Sequence, residues 1–299
     1  MGPASPSLCG FLVLDKPPGL TSHACVARVR RAYGLRRVGH GGTLDPAVSG
    51  VLPVALGPAT RLLPYLSGDK LYRGVVQLGL RTSTDDLEGE VLARSGWDTI
   101  DRNAVEEALA AFRGTILQRP PLVSAVHVDG ERAYVRARRG ERPMLAARQV
   151  TVQRLELLGL DPQQGRIELE VLCSAGTYIR SLARDLGEAL GCGAALARLR
   201  RHAALGFGLE RALPLERLDG EPLPPLIDPL EALPHLALHR LGTEQLRAWR
   251  CGRSLSPPEG AFEAGSPVAV VGPDGILAGI ARADPDGLLR PRLVFDAAG

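Results

Sequence analysis

The sequence predicts an α+β fold, with strands and helices interspersed along a chain of 299 residues. Several short segments are continuously apolar or alternate apolar and polar residues, as β-strands do. Others place apolar residues three and four positions apart behind a capping residue, which is typical of amphipathic helices. A chain of this length can bury a substantial core, and we expect two domains.

The N-terminal third alternates between strands and helices. Gly10–Asp15 is a short apolar run that predicts a buried strand. Thr21 or Ser22 can cap a helix that continues to about Tyr33. Further strands are expected at residues 51–56, 71–78 and 90–93, and a further helix from Pro58, which suits a first turn, to Leu66.

The middle of the chain carries two more helices and a pair of strands. Residues 149–158 and 166–173 alternate like two paired strands. Each helix has a capping residue before it and a glycine after it. The bounding residues are Asp101 and Gly114 for the first helix, and Thr177 and Gly191 for the second, which spans Tyr178 to about Leu190.

Three segments do not fit a regular core. Residues 117–145 contain several prolines and many charges, so we expect a protruding, partly helical insertion. Residues 214–235 are rich in proline without periodicity and predict a linker. Residues 236–299 contain short strand-like segments and predict a small β-rich domain, which leaves residues 1–213 for the main domain.

Arginine dominates the basic residues. The net charge is only +3, and Lys16 and Lys70 are the only lysines among 36 basic residues. A GC-rich genome favours arginine codons, but ammonium and guanidinium groups are not interchangeable, so these two positions are expected to need lysine. The clusters are Arg28, Arg30 and Arg31; Arg36 and Arg37; Arg136, Arg138 and Arg139; and Arg198, Arg200 and Arg201. They suit RNA phosphates, although a solvated face explains any single cluster equally well.

Composition also indicates where the protein acts. No apolar run is long enough to cross a bilayer, and the first residues lack a secretory pattern. The five cysteines are scattered and form no C-x-x-C pair, which favours a reducing cytosol and argues against a zinc site. We therefore expect a cytoplasmic protein without a metal.

The segment Gly39–Gly50 holds an acid, an imidazole and four glycines. Glycines let the backbone approach a ligand closely, and Pro46 stiffens the chain after Asp45. Asp45 should therefore project from a rigid turn, as a carboxylate presented to a large substrate would. A plain turn is the alternative, because Asp-Pro is also a common turn dipeptide.

Five segments in order along residues 10–215 resemble the motifs of the tRNA pseudouridine synthase B (TruB) family. The family pattern is approximately GHxGxLDPxAxGxL, and Val48 stands where alanine is usual. The matching segments are Leu14–Gly19, Gly39–Gly57, Asp69–Tyr72, Gly176–Arg180 and Leu186–Arg201.

This resemblance implies a pseudouridine synthase fold. Its central sheet is mixed, largely antiparallel and flanked by helices and loops, and a small PUA-like RNA-binding domain follows at residues 236–299. Family members isomerise uridine to pseudouridine, typically uridine 55 in the tRNA T-loop, with no cofactor. The base must be flipped into a dry pocket. Residues 117–145 would match the thumb that folds over the RNA, with Val123 where an aromatic residue is usual.

The resemblance also implies roles for particular residues. Asp45 would be catalytic, by adding to C1′ or C6 or by assisting loss of a ribose proton. Arg180 would hold its carboxylate ionised and aimed, through a two-point contact. Tyr72 would stack on the uracil, with its hydroxyl available for proton transfer, and Tyr178 and Leu199 would line the pocket.

Three further residues are expected to contact the RNA or support the pocket. His40 would occupy the space that the flipped base leaves. Lys16 would either support the Asp45 loop or contact a phosphate. Asp86 would form hydrogen bonds with the RNA or with the pocket. We expect a monomer that binds tRNA without an obligatory protein partner.

Other functions stay open at this point. A guide-RNA-dependent pseudouridine synthase is one, although the insertion at 117–145 argues for a stand-alone enzyme. A tRNA-folding chaperone is another, and this role can coexist with catalysis. A glycoside hydrolase is a weaker candidate, because it usually needs a second carboxylate that these motifs do not supply.

Overall fold

The computed structural model describes residues 8–124, 126–128, 130–141, 143–258 and 260–296. The predicted α+β class is confirmed. The strands are β1 Gly10–Lys16, β2 Val38–His40, β3 Ser49–Leu56, β4 Lys70–Leu78, β5 Leu80–Thr82, β6 Val91–Arg94, β7 Gly114–Gln118, β8 His127–Val128, β9 Glu131–Arg132, β10 Arg148–Asp161, β11 Arg166–Cys173, β12 Ala194–Ala204, β13 Phe207–Gly208, β14 Leu213–Pro214, β15 Ala237–Arg240, β16 Pro267–Val271, β17 Leu277–Ala283 and β18 Leu289–Val294. The helices are α1 Ser22–Ala32, α2 Arg102–Ala110, α3 Ala133–Arg138, α4 Ile179–Ala189 and α5 Thr243–Arg250, with 3₁₀ turns at Gly57–Tyr65, Leu209–Arg211 and Leu215–Leu218.

A ten-stranded sheet forms the centre of the molecule. Its order is β14-β1-β3-β12-β4-β11-β10-β7, with β2 also paired to β3 and β13 to β12. The pairs β1–β14 and β3–β12 are parallel, and the other pairs in the sheet are antiparallel. The expectation of a mixed, largely antiparallel sheet is therefore confirmed.

Strand β1 shows why its sequence is continuously apolar. Leu12 and Leu14 pack into a core formed with helices α1, α2 and α4. Phe11 and Val13 point to the opposite face, into a second core that includes residues of the C-terminal sheet. Because successive side chains of a strand alternate between faces, a strand covered on both sides needs apolar residues at every position.

Strand β12 has no counterpart among the predicted strands. Its four polar positions, Arg198, Arg200, Arg201 and His202, interrupt the apolar alternation, and two β-bulges shift its register against β4. Arg201 is fully buried, with Nε donating to the carbonyl of Val51 at 2.7 Å. Neither of the two interpretations of the Arg198, Arg200 and Arg201 cluster, a phosphate contact or a solvated face, holds for Arg201, because its guanidinium lies inside the protein.

The predicted cap of α4 is wrong. The residue before α4 is Tyr178, and no side chain caps this helix, so Thr177 is not its cap. The helix predicted from Pro58 to Leu66 is present at Gly57–Tyr65 as a 3₁₀ helix, with proline in its first turn. Pro64 lies inside this turn, and a proline cannot donate the backbone hydrogen bond that an α-helix needs there.

The C-terminal residues form a four-stranded sheet, β15-β16-β17-β18, beside helix α5. Trp249 of α5 is fully buried and donates from Nε1 to the carbonyl of Ala278 at 2.9 Å. Residues 214–235 lie against the main sheet, where Phe11 and Ile227 exchange backbone hydrogen bonds of 2.9 and 2.8 Å. Ile280 belongs to the same core as Phe11, so the C-terminal sheet and the main sheet share buried apolar contacts.

The charged insertion contains the β8–β9 hairpin and the short helix α3. Ala125, Asp129 and Arg142, together with the side chain of Arg138, lie outside the described residues. Among the described helices, none is both long enough and apolar enough to cross a membrane.

Candidate active site

Asp45 lies in the loop between β2 and β3, and two glycines shape this loop. Gly42 and Gly50 have φ values of +111° and +108°, which other residues rarely adopt. A Cβ atom at Gly50 would lie 2.1 Å from the carbonyl oxygen of Arg201, so the loop passes directly against β12. The side chain of Asp45 stays 45% exposed. The fold thus presents one accessible carboxylate from a constrained turn.

Lys16 supports this loop from inside the protein. Its Nζ donates to the carbonyls of Pro17, Leu20 and Pro46 at 2.9, 2.7 and 3.1 Å, and the residue is fully buried. Burial lowers the pKa of Lys16. The expected phosphate contact is wrong, because three carbonyls already enclose the ammonium. Support of the Asp45 loop, the other expected role, fits this geometry.

Arg180 links Asp45 to two other segments. Its Nη2 lies 3.0 Å from Asp45 Oδ2 and donates to the carbonyl of Val123 at 2.9 Å. Its Nη1 donates to the carbonyl of Thr84 at 3.0 Å. The expected two-point contact with the carboxylate is not formed, since Nη2 alone pairs with Asp45 while Nη1 donates to the carbonyl of Thr84. The carbonyls still fix the guanidinium in place beside Asp45.

Asp86 lies behind the same guanidinium. Its Oδ2 is 3.7 Å from Arg180 Nη1, and its Oδ1 accepts from Thr84 Oγ1 and from the backbone N–H of Glu88. The expected hydrogen bond of Asp86 to the RNA or to the pocket stays a prediction, since Asp86 reaches the cavity wall through its ion pair with Arg180. Arg180 therefore lies between two carboxylates, one exposed to solvent and one mostly buried.

A cavity of about 240 Å³ opens beside Asp45. The expected residues Tyr72, Tyr178, Arg180 and Leu199 all contribute to its wall. Tyr72 and Leu199 are only 7% and 8% exposed, so their surfaces toward the cavity are shielded from bulk water. The remaining wall comes from Thr43, Leu44, Val48, Lys70, Ser124, Gly176, Thr177 and Ile179.

Both tyrosines of the cavity are uncharged at neutral pH. Burial raises the pKa of Tyr72 and of Tyr178. Gln118 fixes the backbone of Tyr178, since its side-chain amide donates to the Tyr178 carbonyl at 3.1 Å and accepts from the Tyr178 N–H at 2.8 Å. The two phenols can therefore act as hydrogen-bonding groups and as flat apolar surfaces.

His40 lies apart from the cavity. It ends β2, opposite Val54 of β3, and its ring meets His23 edge-on at 5.3 Å. Burial lowers the pKa of His40, and the neighbouring His23 and Arg201 act in the same direction. A neutral, partly exposed imidazole at the edge of the Asp45 loop can stack on an RNA base.

The sequence analysis missed Ser124, which lines the cavity, and the carbonyls of Thr84 and Val123, which hold Arg180. It marked Lys70 as a position that needs lysine, from the scarcity of lysine, but gave this residue no role at the site. The carbonyls give no signal, because every residue carries one and only the fold selects which of them turn inward.

The arrangement has a definite chemical capacity. The guanidinium of Arg180 orients the carboxylate of Asp45, which can act as a nucleophile or as a base. Tyr72 and Leu199 offer flat and apolar surfaces on which a planar ring can rest. The cavity can therefore hold one aromatic heterocycle beside a carboxylate.

Three family models cover most of the chain. The N-terminal domain of TruB family pseudouridylate synthases matches residues 30–179. The tRNA pseudouridylate synthase B C-terminal domain matches residues 180–233. The model described as pseudouridine synthase II TruB, C-terminal, matches residues 238–295.

Individual relatives agree with these models. The chain is 61% identical to tRNA pseudouridine synthase B of Parasynechococcus marenigrum (strain WH8102), over 97% of this chain and 98% of the relative. It is 56% identical to the protein of the same name from Synechococcus sp. (strain WH7803), with the same coverage.

Solved structures extend the likeness to the fold. A structure of an H/ACA RNP bound to a substrate RNA containing 2′-deoxyuridine matches with a TM-score of 0.71 and 26% identity, over 96% of this chain and 84% of that one. A Cbf5-Nop10-Gar1 complex matches with a TM-score of 0.69 and 29% identity, over 92% of this chain and 78% of that one. With family models along most of its length and relatives that share more than half of its residues, the chain belongs to the TruB family of pseudouridylate synthases.

Proposed function

We propose that the protein isomerises uridine to pseudouridine in the T-loop of tRNA, at uridine 55, as a stand-alone enzyme without a cofactor. The ion pair between Arg180 and Asp45, at the wall of a cavity that also contains Tyr72, is the observation that carries this proposal. Membership of the TruB family and relatives named tRNA pseudouridine synthase B support the substrate class.

Asp45 performs the central step. Its carboxylate acts at C1′ or C6, or takes a ribose proton, while the N1–C1′ bond breaks and uracil turns to rejoin through C5. Arg180 holds the carboxylate in place through their ion pair. Tyr72 stacks on the uracil, and Tyr178 and Leu199 exclude water while the base is detached.

The cavity sets how the RNA must bind. A volume of about 240 Å³ admits one flipped nucleotide and no paired stem. His40, outside the cavity, fills the gap in the T-loop that the flipped base leaves. The insertion at 117–145 closes over the RNA, and residues 236–299 form an RNA-binding domain that residues 214–235 join to the catalytic domain at 1–213.

The residues proposed for catalysis all lie in this chain, so a monomer is sufficient for the reaction, and the cytoplasm, where tRNA is made in bacteria, is its proposed location. The solved neighbours named above belong to H/ACA complexes. The far higher identity, 61%, is to a protein named tRNA pseudouridine synthase B, and this favours the stand-alone enzyme over a guide-dependent one.

The test uses purified protein and an unmodified tRNA transcript, with no guide RNA or nucleotide added. Pseudouridine is mapped by carbodiimide labelling and primer extension, for the natural protein and for Asp45→Asn. We expect one new stop at the T-loop uridine with the natural protein and none with Asp45→Asn, which should still bind tRNA. If the natural protein binds tRNA but modifies nothing, the proposal fails, and a guide-dependent or chaperone role takes its place.

A further inference from the structure

We propose that Lys70 is a further catalytic residue, whose ammonium group stabilises the negative charge on the uracil ring while the ring is detached from the sugar. This inference rests on the proposed function. It concerns a side chain in the wall of the Asp45 cavity that has no described partner.

Lys70 is placed to reach a base that rests on Tyr72. It is the first residue of β4, two positions before Tyr72, and residues two apart on a strand point to the same face. Both side chains line the cavity that contains Asp45. A group stacked on the Tyr72 ring would therefore lie beside the ammonium of Lys70.

The positive charge of Lys70 is not compensated by the protein. Among the described residues, no carboxylate lies within 4.0 Å of its Nζ, and Nζ makes no hydrogen bond. Arg180, which lines the same cavity, differs in this respect, since it pairs with Asp45. A half-buried ammonium without a partner is costly to hold, so a partner supplied by the substrate would be bound favourably.

Arg201 adds a second cation at the same place. It is fully buried, and its Nη1 has no hydrogen-bond partner in the described structure. A Cβ atom built on Gly42 would lie 3.4 Å from Lys70 Nζ and 3.7 Å from Arg201 Nη1, so the two groups flank the same point. Burial and the charge of Arg201 lower the pKa of Lys70, which makes its ammonium a stronger hydrogen-bond donor. Together they create a positive potential on one side of the cavity.

The reaction produces a uracil anion, which the positive potential of Lys70 and Arg201 stabilises. When the N1–C1′ bond breaks, its electron pair stays on the uracil ring and spreads from N1 onto O2 and O4, while Asp45 acts on the sugar. The ammonium of Lys70 donates a hydrogen bond to one of these oxygens and keeps its proton. C5 then uses an electron pair of the ring to bond with C1′, which releases Asp45. The C5 proton passes to water and N1 takes up a proton from water, so the net change is the transfer of one proton from C5 to N1. No oxidant or co-reactant is needed.

An RNA phosphate is the other anion that two cations could bind. The position of Lys70 favours the base, because its neighbour on the same strand face, Tyr72, is the residue proposed to stack on that base. An experiment can distinguish a phosphate contact from a contact with the base. A phosphate contact contributes to binding before and during the reaction, whereas a contact with the detached base contributes only after the bond begins to break.

The experiment measures single-turnover pseudouridine formation and tRNA affinity for Lys70→Met and Lys70→Arg, with Arg94→Met as a control that removes an exposed arginine. We expect Lys70→Met to lower the rate about 100-fold, with a Kd for tRNA within about twofold of the natural protein. Lys70→Arg should keep a larger part of the rate, because the charge is retained, and Arg94→Met should match the natural protein. Thermal unfolding of each variant reports whether the fold is intact.

Chemical rescue provides a measurement that a purely structural role would not affect. Ethylammonium added to Lys70→Ala should restore part of the rate, and ethanol at the same concentration should not. A Lys70→Met rate within about twofold of the natural protein overturns the inference, as does a loss confined to the Kd, which would indicate a phosphate contact. If the natural protein makes no pseudouridine in the same assay, the proposed function itself fails.

Discussion

Arg180 Nη2 lies 3.0 Å from Asp45 Oδ2, although only 9% of the arginine side chain is exposed against 45% of the aspartate. The carbonyls of Thr84 and Val123 hold the guanidinium, so a buried group fixes the position of an exposed one. Val123 belongs to the charged insertion. The same guanidinium therefore connects the proposed nucleophile with the segment proposed to close over the RNA.

Replacing Arg180 with lysine should slow the reaction while leaving the charge in place. A single ammonium cannot serve two carbonyls and a carboxylate in one plane, so Asp45 loses its fixed aim. We expect the single-turnover rate of Arg180→Lys to fall about 100-fold. Arg184→Lys is the matched control one turn further along α4, and its single-turnover rate should fall much less. Equal rates for the two variants would contradict the special role of Arg180.

Tyr72→Phe tests the hydroxyl separately from the ring. Phenylalanine keeps the surface that stacks on the base, so the Kd for tRNA should not change. If the hydroxyl assists proton transfer at C5, we expect the single-turnover rate to fall about tenfold. Tyr72→Ala removes the ring as well, so its single-turnover rate should fall further. Full activity of Tyr72→Phe would leave only a stacking role for Tyr72.

Lys16→Met should destabilise the protein. The substitution removes the buried ammonium that donates to the carbonyls of Pro17, Leu20 and Pro46, and we expect the free energy of unfolding to fall by about 2–4 kcal/mol. Urea unfolding followed by circular dichroism measures this, with Arg94→Met as a surface control that should change it by less than about 0.5 kcal/mol. A Lys16→Met protein as stable as the control would rule out support of the Asp45 loop by Lys16.

Cys173 should make stability depend on alkaline pH. Burial raises the pKa of Cys173 from 9.0 to about 11. Above pH 9 the unfolded chain loses the thiol proton while the folded protein keeps it, so the contribution is complete below pH 9 and is lost as pH rises through about 11. The total loss in the free energy of unfolding is about 2–3 kcal/mol.

The measurement compares urea unfolding of the natural protein and of Cys173→Ala in reducing buffer, at several pH values between about 8 and 11. The variant has no thiol to titrate at this position, while the other titrating groups are shared. We expect the stability of the natural protein relative to Cys173→Ala to fall across this range. If the stability difference between the natural protein and Cys173→Ala stays constant with pH, the thiol of Cys173 titrates alike in the folded and the unfolded protein, and the prediction fails.

The sequence by itself determined the elements whose signals are local. The apolar run of β1, the alternation of β10 and β11, and the Gly39–Gly50 turn were all readable, because each records backbone conformation or burial over a few neighbouring residues. Motif resemblance also selected Asp45, Tyr72, Tyr178, Arg180 and Leu199, which the fold brings to one cavity. Their chemical roles remain predictions for the experiments above.

Only the tertiary structure decided how distant residues share buried space. Strand β12 was not predicted because its arginines interrupt the apolar pattern of a strand that packs inside the sheet. The sequence left a phosphate contact open for Arg201 and for Lys16, and the structure encloses both side chains. Likewise, carbonyls of Thr84 and Val123 complete the Arg180 site, and Lys70 is left without a described carboxylate. Desolvation and charge pairing depend on which segments meet, and segments far apart in the chain meet only when the whole sheet is assembled.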